Sequence, residues 1–190
     1  MKIILIGAAT SNHTKRWVNA LSKRGHEVLL VCRPDQTDIM KEVSPAVKIE
    51  YLPFGGKTFS YYLNAPRLKK IIKNFKPDIV NAHYASGYGT LARMAGAKNL
   101  VISTWGSDVY SYPYKNKICM HIIRKNFKYA SAIAATSHAM AEQTKRLQGE
   151  KAKDVTVTPF GVDIDLFQIS EKKENKQPII GIVKYLEPIY

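Results

Sequence analysis

MKIILIGAATSNHTKRWVNALSKRGHEVLLVC, residues 1–32, holds the pattern that decides the fold. An apolar run covers residues 2–6, and a second covers 27–32. Short continuous apolar runs of this kind read as strands buried on both faces of a parallel sheet. Between them, residues 13–24 have helical spacing, with Trp17, Ala20 and Leu21 on one face. Gly25 stands where a helix commonly stops. Strand, helix and strand at this separation predict a parallel βαβ unit.

The same alternation continues outward from this unit. Further strands are predicted at residues 47–52, 79–82, 100–104, 132–136 and 155–158. Helices are predicted at 64–74, 89–97, 115–129 and 137–147. In the first of these Leu68, Ile71, Ile72 and Phe75 recur at helical spacing and Pro77 breaks the pattern; in the last, Ser137 is placed to cap. The predicted architecture is an α/β fold, a doubly wound, mostly parallel Rossmann-like sheet flanked by helices. Residues 170–177 (SEKKENKQ) are polar and charged throughout, as a linker is. Residues 178–183 (PIIGIV) then begin a new strand. The expected organisation is one domain over residues 1–169, a linker at 170–177, and the start of a second domain at 178–190.

Composition narrows the class. The 190 residues are 45% hydrophobic, enough for one substantial core. Cys32 and Cys119 have none of the close spacings of a zinc or redox site, which fits a reducing, cytoplasmic setting. The apolar start is too short for a secretion signal, and no run approaches the roughly 20 apolar residues of a membrane span. Twenty-nine Lys and Arg against 15 Asp and Glu give a net charge of +14 and a pI near 9.7. Such a field favours anionic partners: nucleic acid, lipid headgroups or phosphorylated substrates.

In open parallel sheets ligands bind beyond the carboxyl ends of the strands. The residues there are Ser11, Asn12, His13 and Arg16 after the first strand, and His83, Tyr84 and Ser86 after the fourth. Trp105, Ser107 and Asp108 follow the fifth strand, and Ser137 and His138 the sixth. The loop GAATSNH lacks the G-x-G-x-x-G dinucleotide fingerprint, since only Gly7 is present and Ala9 holds the third position. No Walker loop, nucleophile elbow or metal spacing is present. Single residues stay ambiguous: Asn12 and Asp108 fit helix capping as well as chemistry, and His83 fits a structural as well as a functional histidine. Gly87 and Gly89 would let backbone approach a ligand, or simply serve a turn.

Taken together, HYASGYG (83–89), TWGSD (104–108) and TPFGVDIDLF (158–167), with SNHTKRWVNALSKRGHEV (11–28), resemble family 4 glycosyltransferases of the two-domain GT-B fold. The resemblance covers essentially the whole chain. It implies an N-terminal domain that holds the acceptor, facing a C-terminal domain that binds a nucleotide-sugar donor. It also implies transfer with retention of configuration, the donor phosphate helping to take the acceptor proton. His83 then corresponds to a histidine reaching the donor sugar near its 6-hydroxyl, and Asp108 to the G-x-D segment; these two are the expected catalytic residues. Asn12, His13, Arg16, Tyr84, Ser86, Gly87, Trp105 and Ser137 are expected to contact substrate, and Lys184 to hold the donor diphosphate. No metal or resident cofactor is implied. ATSNH replaces the family's glycine-rich turn, and Tyr190 stands where a lysine is expected. The implied partners are the nucleotide sugar, bound through the second domain, and a polysaccharide or lipid-linked acceptor; this chain alone is not expected to complete turnover.

Two basic segments remain. Residues 67–76 carry Lys69, Lys70, Lys73 and Lys76 opposite the apolar stripe. Residues 115–128 carry Lys115, Lys117, Arg124, Lys125 and Lys128 beside Ile118, Ile122 and Ile123, after Tyr110, Tyr112 and Tyr114. Each fits either a solvated outer face or docking on an anionic membrane surface, at the inner face of the cell membrane. The alternative to an enzyme is a non-enzymatic basic α/β module that binds anionic lipid or nucleic acid. Nucleic acid is disfavoured, because neither a helix-turn-helix nor an aromatic-basic RNA-binding sheet is legible.

Overall fold

The computed structural model describes residues 1–36, 42–56, 58–168 and 181. Seven strands form one sheet in the order β3-β2-β1-β4-β5-β6-β7, with every neighbouring pair parallel. They are β1 Lys2–Ile6, β2 Glu27–Cys32, β3 Lys48–Tyr51, β4 Ile79–His83, β5 Leu100–Thr104, β6 Ala132–Ala135 and β7 Val155–Val157. The helices are α1 Asn12–Lys23, α2 Ser60–Leu63, α3 Ala65–Phe75, α4 Gly87–Met94, α5 Ser107–Tyr110, α6 Lys117–Tyr129 and α7 His138–Gln148. Each of the seven expected strands is present, and the doubly wound parallel sheet is as expected.

The continuous apolar runs are explained by burial on both faces. Ile4, Ile6, Leu29 and Val31 join the larger core, together with Leu68 of α3, Leu91 of α4, Ile123 and Phe127 of α6, and Leu147 of α7. Leu5, Val28, Leu30 and Cys32 point the other way, into a smaller core with Val18 of α1. Each fully buried Leu, Ile or Phe contributes about 1.5–3 kcal/mol through loss of apolar surface to water. Burial also pushes the Cys32 thiol up to about 12, so it is inert at neutral pH.

Helix ends follow local chemistry. Arg24 closes α1 and Gly25 reverses the chain at a φ of 80°. The α3 helix ends on Lys76, left-handed at a φ of 52°, directly before Pro77. Helix α4 begins at Gly87, two residues earlier than expected, because the Thr90 amide donates to the Ser86 carbonyl at 3.0 Å. Helix α6 begins later than expected, at Lys117. Asn116 caps it by accepting from the Cys119 amide at 2.9 Å, after a 3-10 turn at Tyr112–Tyr114. Ser137 caps α7 as expected, accepting from the Met140 amide at 3.2 Å.

Contacts divide the chain into a compact unit, Met1–Phe160, and a second, Gly161–Tyr190. Within the second, Asp163 Oδ1 accepts from the amides of Asp165 and Leu166 in a tight turn. The expected linker at 170–177, Lys184 and Tyr190 lie outside the described residues. No helix among the described residues is long and apolar enough to cross a membrane.

Candidate active site

The strand order reverses direction between β1 and β4, and at such a switch point the loops diverge and leave a crevice beyond the carboxyl edge. His83 is the last residue of β4 and stands at this point. Gly7, which ends the run from β1, lies beside it: a Cβ on Gly7 would stand 3.4 Å from the His83 Cβ and 3.2 Å from Thr14 Oγ1. His83 Nδ1 is 3.4 Å from the Thr14 hydroxyl.

His83 is only 1% exposed. Its desolvation, and secondarily the nearby His13, lower its pKa to about 3. The imidazole is therefore neutral at physiological pH, able to form hydrogen bonds but carrying no charge. Trp105 covers it, with ring centroids 4.5 Å apart. Trp105 also packs against Tyr84 at 5.3 Å and edge-on against Phe160 at 5.2 Å, while His13 stacks on Phe160 at 3.6 Å. Desolvation, with Arg16 nearby, lowers the pKa of His13 as well.

The loop after β4 is held in an uncommon shape. Tyr84 has a φ of 76°, a left-handed conformation that costs about 1–3 kcal/mol for a bulky residue unless its surroundings impose it. Two buried side chains supply that constraint. Asp108 of α5 accepts from the Ala85 amide at 2.7 Å through Oδ2, and from the amides of Trp105 at 3.1 Å and Gly106 at 2.9 Å through Oδ1. Asn126 of α6 donates to the Ala85 carbonyl at 2.8 Å and to Thr90 Oγ1 at 2.9 Å, and accepts from Arg93 Nε at 2.7 Å. Asp108 thus joins the loops after β4 and β5. Its burial raises the carboxyl pKa, and the hydrogen bonds from backbone amides, that of Ala85 first, work against the rise.

A cleft of about 520 Å3 opens beside this loop. Of the residues expected at the site, His13, Tyr84, Ser86, Gly87 and Trp105 line it together. His83 and Asp108 lie behind that lining, buried. Asn12 is exposed and accepts from Lys15 Nζ at 3.2 Å. Arg16 borders a separate hollow of about 290 Å3 with Trp17 and Phe160, and Ser137 serves as the α7 cap.

The far wall of the cleft was not legible from the motifs. It is built from Tyr61, Tyr62, Tyr88 and Gln36, with Tyr112 and Lys115 also lining the cleft. Tyr61 meets Tyr88 edge-on at 5.1 Å, and the Arg33 guanidinium sits 4.6 Å from the Tyr61 ring centre. Arg33 is itself buried, donating to Ser60 Oγ at 3.1 Å and pairing with Asp35 at 2.7 Å. The Tyr88 hydroxyl donates to Gln36 Oε1. Tyr61 also explains Gly87, since a Cβ there would fall 2.4 Å from its ring. Among the described residues, the cleft lining includes no carboxylate and no cluster of three potential metal ligands occurs.

A parallel sheet with an aromatic, polar cleft at its switch point defines a doubly wound Rossmann-like α/β domain with a crevice where such sheets bind their ligands. The chain belongs to the Glycosyl transferase 4-like family, whose sequence profile matches residues 2–137. It is 30% identical over 114 residues to TuaC of Bacillus subtilis (strain 168), named as a candidate glycosyltransferase of teichuronic acid biosynthesis; the match covers 58% of this chain and 28% of TuaC. Among solved structures, the fold is similar to sucrose-phosphate synthase from Thermosynechococcus elongatus, with a TM-score of 0.70 at 15% identity over 88% of this chain and 50% of that one. It is also similar to Anabaena Alr3699/HepE in complex with UDP, with a TM-score of 0.65 at 16% identity over 90% of this chain and 47% of that one. The chain therefore spans about half the length of these structures, and at such identities the likeness establishes the fold.

Proposed function

We propose that this chain is the acceptor-side domain of a retaining glycosyltransferase, which moves a sugar from a nucleotide-sugar donor to a polysaccharide or lipid-linked acceptor. The observation that carries this reading is the cleft at the β1–β4 switch point, in a chain of the Glycosyl transferase 4-like family. The UDP bound by HepE and the biosynthetic name of TuaC support the donor and acceptor classes.

In this reading, the acceptor lies against Tyr84, Ser86, Gly87, Trp105 and His13. His83, neutral and covered by Trp105, offers a hydrogen bond to the donor sugar once the aromatic cover shifts. Asp108 is a positioning residue, since its oxygens are committed to backbone amides. Acceptor deprotonation falls to the donor phosphate in this reading, in keeping with a cleft lining in which no carboxylate occurs among the described residues, and the protein's share is orientation and charge stabilisation. A two-carboxylate hydrolytic route would need a pair about 5 Å apart. Asn12 and Arg16 border the same edge, Ser137 fixes the α7 entry, and Lys184 is assigned to the donor diphosphate. The nucleotide sugar is a substrate, and the reading requires no resident cofactor.

The test is sugar transfer by the full-length protein with a panel of nucleotide sugars, beside His83→Ala. Transfer from one donor, with kcat reduced by 10-fold or more in the variant, is expected. Full turnover by His83→Ala would remove His83 from the site.

A further inference from the structure

We propose that the outer face of α6, with the turn before it, is the surface by which this protein docks on an anionic phospholipid bilayer. The inference goes beyond sugar transfer and does not depend on it.

The two basic helices legible in the sequence differ in what they expose. In α3 the apolar residues Leu68 and Ile71 are buried in the core, with Ile72 and Phe75 packed against it. The exposed Phe59 and Leu63 lie in the segment before it. The exposed side chains of α3 itself are Pro66, Arg67, Lys69, Lys70, Lys73 and Asn74, with Arg67 paired to Glu50 at 3.0 Å, and none is a large hydrophobic. That is a solvated basic face. Of the three isoleucines that stand beside the cations of α6, only Ile123 is fully buried. Ile118 is 71% exposed, and Tyr114 just before the helix is 61% exposed. Ile118, His121, Lys125, Lys128 and Tyr129 share one helical stripe. Exposed Ile118 and Tyr114 set among cations supply the combination a membrane interface takes up, where apolar groups enter the acyl boundary and cations meet headgroups.

The charge of this face is unopposed along the chain. No Asp or Glu occurs between Asp108 and Glu142, whereas Lys115, Lys117, Arg124, Lys125 and Lys128 all do. None of the ion pairs among the described residues draws on α6. A hollow of about 540 Å3, lined by Tyr114, Lys117, Met120 and Arg124 among others, runs beside the helix. Gln143 Nε2 donates to the Tyr114 hydroxyl at 2.9 Å and holds that ring in place.

A second copy of the chain fits poorly, because a two-fold interface would set these cations against themselves. Nucleic acid would use the charge but gain little from Ile118. An anionic bilayer uses both. Tyr112 and Lys115 line the cleft while the adjoining Tyr114 and Lys117 line the hollow, so docking would bring the mouth of the cleft to the headgroup layer.

The test is co-sedimentation of the full chain with vesicles of phosphatidylcholine alone, or of equal parts phosphatidylcholine and phosphatidylglycerol. Recovery is expected with the anionic vesicles at low salt. Replacing Lys117, Lys125 and Lys128 by Gln should weaken it on the order of 100-fold, from about five-fold per cation. Ile118→Ser should weaken it about 10-fold, and the Lys69, Lys70 and Lys73 to Gln control should weaken it less than the α6 triple. Equal recovery with neutral vesicles, or equal loss for the two triple variants, overturns the assignment. Binding indifferent to Ile118→Ser and fully competed by duplex DNA would make the face a nucleic-acid surface instead. Transfer to a water-soluble acceptor reports on the catalytic reading separately.

Discussion

The Ala85 amide donates to Asp108 Oδ2 at 2.7 Å, so a residue that follows β4 is fastened to one that follows β5. The same carboxylate holds Trp105 and Gly106 through its other oxygen. One buried side chain therefore sets the spacing of the two loops that carry His83, Tyr84 and Trp105.

Asp108→Ala is expected to leave three amides, one buried and two half-buried, without their acceptor, at a cost of about 3 kcal/mol. Asp108→Asn keeps one carbonyl oxygen but turns an NH2 group toward an amide donor, so it should recover only part of the loss. Urea denaturation of both variants checks the order. An Asp108→Asn variant as stable as the parent would mean that the amide bonds do not hold the loops.

Asn126 clamps the same loop from α6, and the removal of its amide is expected to act differently. Asn126→Ala frees the Ala85 carbonyl, Thr90 Oγ1 and Arg93 Nε, at about 2–4 kcal/mol. Because Asn126 and Asp108 both act through Ala85, the double variant should be less destabilised than the sum of the two singles. Additive losses in a double-mutant cycle would separate the two clamps.

The sheet was legible because each strand buries both faces, and an unbroken apolar run such as that of β2 has few other readings. Helices α2 and α5, of four residues each, are too short for periodicity to register. Local motifs exposed the near wall of the cleft, since Tyr84, Ser86 and Trp105 directly follow strands. The far wall was hidden because Gln36 and Tyr61 reach Tyr88 only through the packing of distant segments. Asn126 did carry a signal: it is a polar residue on the buried side of α6, between Ile123 and Phe127. The side of α6 on which Ile118 falls was left open by the sequence, because helical spacing does not say which side of a short amphipathic helix meets the core.

Gly87→Ala tests the far wall directly. Its Cβ would lie 2.4–2.9 Å from three Tyr61 ring carbons, so the ring must move away from Tyr88 and Arg33. A destabilisation of about 1–3 kcal/mol is expected, with a raised KM for acceptor. Adding Tyr61→Leu should relieve the clash, so that the pair costs less than the separate losses combined. A Gly87→Ala variant with unchanged stability and KM would show that the Tyr61 contact does not shape the cleft.

His83 yields a prediction in pH. Its folded pKa of about 3 lies below the ordinary value of 6.5, because burial disfavours the imidazolium. The unfolded chain therefore takes up a proton as pH falls through about 6.5, while the folded chain does not do so until about 3. The stability attached to the neutral ring is full above 6.5 and is lost as pH falls across that window, at up to about 1.4 kcal/mol per pH unit. Between pH 7 and pH 5 this amounts to about 2 kcal/mol. His83→Asn removes the titrating group, so its urea midpoint should change less between those two pH values than that of the parent, whatever its absolute stability. An equally steep acid loss in the variant would mean that His83 takes up its proton in the folded protein near the ordinary value of 6.5, so that burial does not keep the ring neutral at pH 5.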